Sequence, residues 1–309
     1  MRIVVHGQQA FGKAVLEALL KRGEDVVAVY VAPEKPGQKA DPLMEAALAA
    51  KLPVFQPASY RKPEVWEAFR ALKPDLQVMA FVTLFVPEDF LNIPTLGSIQ
   101  YHPSLLPKHR GPSAINWPII QGETETGLTI FWPDNGLDTG PVLLQKTTHI
   151  GPNDTLGGVY FERLFPMGVE AMLEAVDLVK AGRAPRIKQD EEQATYEGRC
   201  AAEHARIDWA RPCRQIHNLV RGCNPAPGAW TRWSGKRLQI LETEPLPARQ
   251  PNGIGGKMGE IVAIDGQSFT IACADGRVRI LRVKPEDGGK LAAGDFAASA
   301  MLSVGAQLG

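Results

Sequence analysis

The chain has 309 residues, of which 44% are hydrophobic and 22% charged, and its 34 lysines and arginines balance its 34 aspartates and glutamates. The length favours two domains, and the composition is typical of a globular protein with a sizeable core. A net charge of zero excludes a global attraction for nucleic acid or for an anionic membrane, although it leaves room for a local basic patch on one domain.

The cysteines and the amino terminus indicate the compartment. The sequence has neither CxxC spacing nor a histidine pattern around its four cysteines, Cys200, Cys213, Cys223 and Cys273. We interpret them as reduced packing residues and expect no metal site. The amino terminus has the pattern of a strand and a glycine turn rather than of a signal peptide, and no apolar run approaches the roughly 18 residues of a membrane span. We therefore expect a cytoplasmic protein.

The first thirty residues predict a βαβ unit. Residues 2–5 and 26–31 are apolar strands, and residues 13–22 between them form an amphipathic helix, so the sheet begins parallel with both faces covered. The turn reads GQQAFG, which lacks the middle glycine of a GxGxxG dinucleotide fingerprint, and no acidic residue closes the second strand. A nicotinamide-dependent oxidoreductase stays an alternative, but the turn does not favour it.

Helices are predicted over residues 43–50 and 63–72, with a short strand at 54–55 between them. The strand that follows, over residues 76–81, is predicted to be central and buried. Residues 83–87 form the loop at its carboxyl end, which carries Leu84, Phe85 and Val86. Apolar loop residues of this kind usually cover a core. Because the loop neighbours the segment described next, it is also a candidate pocket wall.

Residues 97–117 read GSIQYHPSLLPKHRGPSAINW and form the segment around which we expect the site. Pro103 cannot extend a strand ladder, so His102 is expected at the carboxyl end of a strand. The elbow that follows, Ser104, Leu105, Leu106 and Pro107, lies where ligands bind in open parallel sheets. The alternative interpretation is that His102 is a satisfied histidine packed under a loop.

A second polar loop, residues 133–141, reads PDNGLDTGP and follows a predicted strand over 128–132. An aspartate between glycines, as Asp138 is, usually marks only a turn. Together with His102, however, it supplies the acid/base pair that general acid–base chemistry needs near neutral pH. Neither residue alone would suggest a site.

The second half of the chain predicts a long helix over 155–181, a polar connection, a helix over 207–221 and then short strands. We interpret His217 and Arg221, four residues apart, as a solvated helix face. The strands over 237–241, 259–264, 268–273 and 278–283 predict a small, closed or partly closed antiparallel barrel, followed by a helix over 292–301. The predicted domains are residues 1–183 and 207–309, joined by a linker over 184–206.

These motifs resemble those of the folate-dependent formyltransferase family over essentially the whole chain. The His102 elbow and the Asp138 loop are specific when they occur together. Motif detail is most similar to the hydrolase module of 10-formyltetrahydrofolate dehydrogenase, in the segments KADPL (39–43), YHPSLLPKHRG (101–111), SAINW (113–117), GLDTG (136–140), ATYEG (194–198) and PGAWT (227–231). The resemblance implies a Rossmann-like, open, mostly parallel α/β sheet followed by an OB-like β-barrel.

The resemblance also implies roles for residues. His102 and Asp138 would be the catalytic pair, and Gln100 would be a second donor to the oxyanion in place of the asparagine that transferases of the family carry. The pterin of 10-formyltetrahydrofolate, the formyl donor that leaves as tetrahydrofolate, would lie against loop 84–86, with Asp138 and the elbow over 104–107 close by. Neither a metal nor NAD is implied.

The formyl acceptor is open at this point. The loop after the second strand reads APEKPGQKADP, with two lysines and two acids, which is a poor track for RNA phosphates. A local patch remains possible from Lys108, His109, Arg110, Arg232, Lys236 and Arg237. The chain ends soon after the predicted barrel, so we expect no aldehyde dehydrogenase domain. We favour water as the acceptor; initiator methionyl-tRNA, an amino sugar, or a non-catalytic nucleic-acid-binding protein are the alternatives.

Overall fold

The computed structural model describes residues 1–34, 37, 39–248 and 255–309. Lys35, Pro36 and Gln38, in the loop that we weighed as a phosphate track, lie outside the described residues. The chain forms two compact units: the first comprises Met1–Ala114, Gly127–Thr148 and Phe161–Glu197, and the second comprises Ile115–Thr126, His149–Tyr160 and Gly198–Gly309. The domain boundaries 1–183, 184–206 and 207–309 stay a prediction.

The elements follow in chain order. The described strands are β1 (Arg2–Gly7), β2 (Asp25–Val31), β3 (Val54–Phe55), β4 (Leu76–Ala80), β5 (Ser98–His102), β6 (Glu125–Phe131), β7 (Val142–His149), β8 (Trp230–Trp233), β9 (Lys236–Pro247), β10 (Ile261–Ile264), β11 (Phe269–Cys273), β12 (Gly276–Pro285) and β13 (Leu291–Ala292). The described helices are α1 (Gln9–Lys21), α2 (Pro42–Ala49), α3 (Pro63–Ala71), α4 (Glu88–Leu91), α5 (Asn116–Gln121), α6 (Leu156–Gly158), α7 (Phe165–Lys180), α8 (Cys213–Gly222) and α9 (Ala293–Ser299).

The first sheet has the strand order β3-β2-β1-β4-β5-β6-β7. Its first five strands pair in parallel, and β6 runs antiparallel to β5. The order reverses between β1 and β4, and in open α/β sheets ligands bind at the carboxyl ends of strands near such a reversal. The predicted mostly parallel, Rossmann-like sheet is confirmed, and β5, which carries His102, is the strand next to β4.

Packing explains the glycines of the first turn. A Cβ on Gly7 would collide with the carbonyl oxygen of Ala80, and a Cβ on Gly12 would lie 3.0 Å from Leu43 Cδ2. The turn therefore needs glycine so that α1 can approach the sheet closely. Close packing accounts for both glycines without a dinucleotide.

The second unit contains an antiparallel sheet with the strand order β10-β11-β12-β9-β8, and β13 pairs with β12. The predicted separate antiparallel domain is confirmed. β8 was not predicted, because it has only four residues and lies between turns at Gly228 and Gly235. No helix in the described parts of the chain is long and apolar enough to cross a membrane.

Two helix predictions were wrong in detail. The helix over 155–181 is interrupted by a π-helical turn, Val159–Leu164, just before α7. Pro166, in the first turn of α7, has no amide hydrogen to donate to the preceding turn, which disturbs the regular bonding pattern there. The helix over 207–221 begins only at Cys213, because Pro212 provides the extended residue that precedes its first turn.

The solvated face that we assigned to this second helix was also wrong. His217 and Arg221 are 4% and 6% exposed, respectively. Both side chains hydrogen-bond the loop before α6: His217 Nε2 donates to the Pro152 carbonyl at 3.1 Å, and Arg221 Nη1 donates to the carbonyls of Gly151 at 3.2 Å and Asp154 at 3.1 Å. The two side chains are therefore committed to internal partners, the backbone carbonyls of this loop.

Candidate active site

His102 lies at the carboxyl end of β5, as predicted, and is buried. Alternation along the strand places it on the same face as Ser98 and Gln100, whereas Ile99 and Tyr101 enter the hydrophobic core on the other face. The imidazole Nε2 lies 2.9 Å from the carbonyl oxygen of His109, which can only accept a hydrogen bond. Nε2 therefore carries a hydrogen, and Nδ1 is the nitrogen left for other partners.

The elbow after His102 is fixed by Thr129 of β6. The Thr129 hydroxyl donates to the Ser104 carbonyl at 2.7 Å and accepts from the Leu106 amide at 3.0 Å. The Ser104 hydroxyl, fully buried, donates to the Lys108 carbonyl at 2.7 Å. Leu106 is buried, whereas Leu105 and Pro107 are half-buried. These bonds hold the elbow rigid. They also fix the backbone around His109, whose carbonyl accepts the hydrogen bond from the His102 ring.

Asp138 reaches His102 from the loop between β6 and β7. Its backbone adopts the left-handed conformation, with φ of 58°, which aspartate tolerates better than most residues. The carboxylate is buried; Oδ2 accepts the Gly111 amide at 2.9 Å and lies 3.6 Å from His102 Nδ1. The structure therefore brings together the two residues that the sequence predicted as a pair.

The bonding pattern constrains the protons of this pair. Neutral His102 with a hydrogen on Nε2 has a bare Nδ1, which cannot donate to a carboxylate. A second proton on Nδ1 would point towards Asp138 Oδ2, 3.6 Å away. The two atoms lie beyond hydrogen-bond distance, so a proton can pass between them once they approach by about 0.7 Å.

Gln189 is a residue that the sequence analysis missed. It is buried, and its amide nitrogen donates to the carbonyls of Asp138 at 2.9 Å and Gly140 at 2.7 Å. Its amide oxygen accepts from Arg110 Nη2 at 2.8 Å, and Arg110 also forms a two-pronged ion pair with Glu191. We had assigned residue 189 to a linker; a single glutamine in a charged stretch carries no signal that would have singled it out.

A strap over residues 195–197 covers the other side of the elbow. Arg110 pairs with Tyr196 in a parallel bridge, the His109 amide donates to the Thr195 hydroxyl at 2.8 Å, and His109 Nδ1 lies 3.2 Å from Glu197 Oε2. His109 and Arg110 are consequently buried. Two members of the predicted basic patch are thus committed to internal partners, and that part of the patch was wrong.

The predicted pterin loop divides into two kinds of residue. Val86 is buried in a core cluster and Leu84 packs against it, whereas Phe85 is 57% exposed. The Arg61 guanidinium lies 5.6 Å from the centre of the Phe85 ring. Because Met79 of β4 is opposite Gln100 of β5, this loop begins beside the strand that ends at His102. Gln100 itself is half-buried.

The second unit groups three residues that can ligate metals: one ligand atom from each of Cys213, Cys273 and Asp275 lies within 4.8 Å of the others. The sequence analysis did not anticipate this group. Asp275 Oδ1 accepts the Cys213 amide at 2.6 Å and so satisfies the first turn of α8. Burial raises the pKa of Cys213 to about 12, which opposes the thiolate form that a metal requires. The donor set fits a helix cap better than a metal site.

Comparison with known proteins adds two kinds of result. The family model described as formyl transferase matches residues 1–176, and the model for its carboxyl-terminal domain matches residues 199–301. The chain is 41% identical to the mitochondrial 10-formyltetrahydrofolate dehydrogenase of Mus musculus over 98% of the chain and 34% of that protein. It therefore spans about a third of the length of that relative.

A methionyl-tRNA formyltransferase from Geotalea daltonii is 39% identical over 100% of this chain and 98% of its own length. Among solved structures, HypX from Aquifex aeolicus in complex with tetrahydrofolic acid superposes with a TM-score of 0.67 at 21% identity, covering 98% of this chain and 48% of HypX. The fold is therefore shared with HypX. The family models and the Geotalea relative together show that the chain belongs to the formyl transferase family, which confirms the resemblance that its motifs indicated.

Proposed function

We propose that this formyl transferase takes the formyl group from 10-formyltetrahydrofolate and passes it to water, with His102 and Asp138 as its acid–base pair. The observation that carries the proposal is the 3.6 Å approach of His102 Nδ1 to Asp138 Oδ2, two buried groups at the carboxyl end of β5. The relatives support the donor: one is named for 10-formyltetrahydrofolate, and the superposed HypX structure holds tetrahydrofolic acid. A cytoplasmic location accompanies this proposal.

The chemistry follows from the proton positions. Water adds to the formyl carbon while Asp138 takes one of its protons, which produces a tetrahedral oxyanion. His102, carrying its second proton on Nδ1, delivers that proton to N10 as the carbon–nitrogen bond breaks. Tetrahydrofolate and formic acid leave, and the acid loses its proton to the solvent to become formate. The proton on Asp138 passes to His102 Nδ1, which returns the pair to its starting state. Gln100 donates its amide hydrogen to the oxyanion while it exists.

The donor would lie beside the exposed Phe85 ring. An aromatic face that the protein leaves 57% exposed offers a stacking surface for a planar heterocycle, and the backbone of loop 84–86 offers hydrogen-bonding groups. In this proposal Val86 and Leu84 hold the loop through the core rather than touching the pterin face. The elbow over 104–107 borders the formyl end.

Water is favoured because two of the six basic residues weighed for RNA are buried. His109 contacts Glu197, and Arg110 is held by Glu191 and Gln189, so neither is available to a phosphate. Hydrolysis requires only that water be admitted to the pair. No further surface on the protein has to recognise the acceptor.

Methionyl-tRNA is the second candidate, and one cluster in the second unit favours it. The guanidinium groups of three arginines surround the Trp230 ring at 4.2–5.9 Å from its centre: Arg206, Arg232 and Arg237. Arginines around a partly exposed indole are typical of surfaces that bind single-stranded RNA. The similarity to the Geotalea methionyl-tRNA formyltransferase along nearly its whole length points the same way.

The test is the release of tetrahydrofolate from 10-formyltetrahydrofolate, followed by absorbance, without acceptor, with charged initiator tRNA, and with an amino sugar. A His102→Gln variant supplies the background rate. Formate release without an acceptor, lost in the variant, supports the hydrolase. Release that depends on tRNA or on the sugar overturns water as the acceptor, and no release under any condition overturns the proposal as a whole.

A further inference from the structure

Gln189 uses every hydrogen-bonding position of its side chain. Its two amide hydrogens go to the carbonyls of Asp138 and Gly140, at 2.9 and 2.7 Å, and its oxygen accepts from Arg110 Nη2 at 2.8 Å and Nε at 3.2 Å. A flipped amide would place its oxygen against two carbonyls and its NH2 group against a guanidinium. The partners therefore fix the orientation of the amide.

The two carbonyls that Gln189 holds lie on either side of Thr139. Fixing them fixes the peptide planes that follow Asp138 and Gly140, in a loop whose aspartate has φ of 58°. A left-handed backbone costs a non-glycine residue on the order of 1 kcal/mol, so external bonds are needed to keep it populated. The direction of the Asp138 Cα–Cβ bond depends on this conformation, and with it the position of the carboxylate.

Arg110 closes a ring of bonds around Asp138. Its side chain binds the Gln189 oxygen, and the next residue along the chain, Gly111, donates its amide to Asp138 Oδ2 at 2.9 Å. Glu191 holds the same guanidinium at 2.7 and 2.9 Å. Two independent bonds therefore hold Asp138: the Gly111 amide binds its carboxylate, and the Gln189 side chain binds its backbone carbonyl.

We propose that Gln189 is a positioning residue for the reaction: it touches no reacting atom but sets the left-handed backbone of Asp138 so that the carboxylate faces His102 Nδ1. This inference rests on the proposed roles of His102 and Asp138. Misplacing a catalytic group by about an ångström can cost roughly a hundredfold in rate. Gln189 lies 51 positions from Asp138 in sequence, so its effect is mediated entirely by the fold.

The kinetic test uses Gln189→Glu, which keeps the shape of the side chain but replaces both donors with acceptors, and Gln189→Met, which removes all its hydrogen bonds. We expect kcat for tetrahydrofolate release to fall about 10- to 100-fold in both variants, with KM for the donor changed less than about twofold. Gln193→Met is the matched control, because Gln193 is exposed and its side chain bonds only Asp190 among the described residues. Equal kcat in wild type and both Gln189 variants overturns the proposal.

A second readout needs no turnover. In ¹⁵N spectra of the histidine side chains, Nδ1 of His102 reports the nearby carboxylate, and Asp138→Asn provides the reference for its removal. We expect Gln189→Met to move the His102 signal towards that of Asp138→Asn, while thermal unfolding stays cooperative. An unchanged His102 signal overturns the positioning role. This readout is independent of activity. A wild type without turnover would therefore reject the proposed function, and the His102 signal alone would then decide the positioning role.

Discussion

Two buried histidines, His102 in the first unit and His217 in the second, show how burial can serve different ends. They are 5% and 4% exposed, and Nε2 of each donates to a backbone carbonyl, at 2.9 Å to His109 and 3.1 Å to Pro152. They differ at Nδ1. That nitrogen of His217 accepts from the Thr243 hydroxyl at 2.9 Å, whereas that of His102 faces a carboxylate oxygen at 3.6 Å.

Both ring nitrogens of His217 make hydrogen bonds, whereas only Nε2 of His102 makes one within the described residues. His217 has a hydrogen-bond partner on each nitrogen, the Pro152 carbonyl and the Thr243 hydroxyl, so its network stabilises the fold. The Nδ1 of His102 has no hydrogen bond within the described residues, and its neighbour is a proton acceptor. Counting the hydrogen bonds that each nitrogen makes distinguishes the two sites, while burial alone does not.

The largest effect is expected from Asp138→Asn, which removes the proton acceptor but preserves the shape of the side chain. The asparagine oxygen can still accept the Gly111 amide, so we expect the fold to persist while kcat for tetrahydrofolate release falls about 10³-fold. His217→Gln is the matched control, because a glutamine amide can still donate to the Pro152 carbonyl. If Asp138→Asn and His217→Gln lose similar activity, the proposed division between a catalytic His102–Asp138 pair and a structural His217 is incorrect.

The next effect concerns stability and involves Arg221, the neighbour of His217 on α8. Arg221→Leu removes the guanidinium hydrogen bonds to the carbonyls of Gly151 and Asp154, two half-buried residues, which should lower the free energy of unfolding by about 2 kcal/mol. The penalty for burying a guanidinium offsets part of the loss. Arg214→Leu, an exposed position on the same helix, should change it by less than about 0.5 kcal/mol in urea titrations.

A similar loss of stability in Arg214→Leu would mean that α8 responds to any loss of charge rather than to the loss of these hydrogen bonds. A loss of kcat per folded molecule in Arg221→Leu would contradict the structural role assigned to the second network.

The fold and the central pair could be predicted because each left a local signature. Apolar runs of strand length predicted β1, β2 and β4, and Pro103 directly after His102 predicted the strand end. The left-handed Asp138 lies in a glycine-rich stretch that can form a tight loop. These signals act over a few residues, so the sequence reveals them without knowledge of tertiary contacts.

The networks around His217 and Gln189 could not be predicted because they depend on contacts between distant segments. Gln189 bonds residues about 50 and 80 positions away, and His217 bonds a carbonyl 65 positions away. On α8 the spacing of His217 and Arg221 is equally compatible with a solvated face. The loop that lies against the helix, whose carbonyls accept hydrogen bonds from His217 and Arg221, makes these polar side chains internal.

Buried histidines also predict that the stability of the fold depends on pH. Burial lowers the pKa of His217 below its ordinary value, and burial lowers that of His6 to about 3. A histidine that is kept neutral in the folded state contributes stability that is fully present above the unfolded pKa of roughly 6.5 and is lost as the pH falls towards the folded pKa. Each such group should reduce the free energy of unfolding by at most about 1.4 kcal/mol per pH unit.

Urea titrations between pH 7 and pH 5 can isolate the share of His217. In His217→Gln, the slope of stability against pH should be shallower than in wild type. An unchanged slope in His217→Gln would show that burial does not hold this ring neutral in the folded state.

The smallest effect is expected at Gln100, which extends the comparison from a ring nitrogen to an amide. The Gln100 side chain is half-buried and lies on the same strand face as His102. Like His102 Nδ1, it makes no hydrogen bond within the described residues. Gln100→Asn moves the donor back by about an ångström, which should alter oxyanion stabilisation by roughly 1 kcal/mol, about fivefold in kcat. If water is the acceptor to which Gln100 is fitted, hydrolysis should slow, while transfer to an amine should stay constant or rise; Gln193→Asn should change neither. Equal rates in wild type and Gln100→Asn with both acceptors would mean that this open amide, unlike the open nitrogen beside it, takes no part in the reaction.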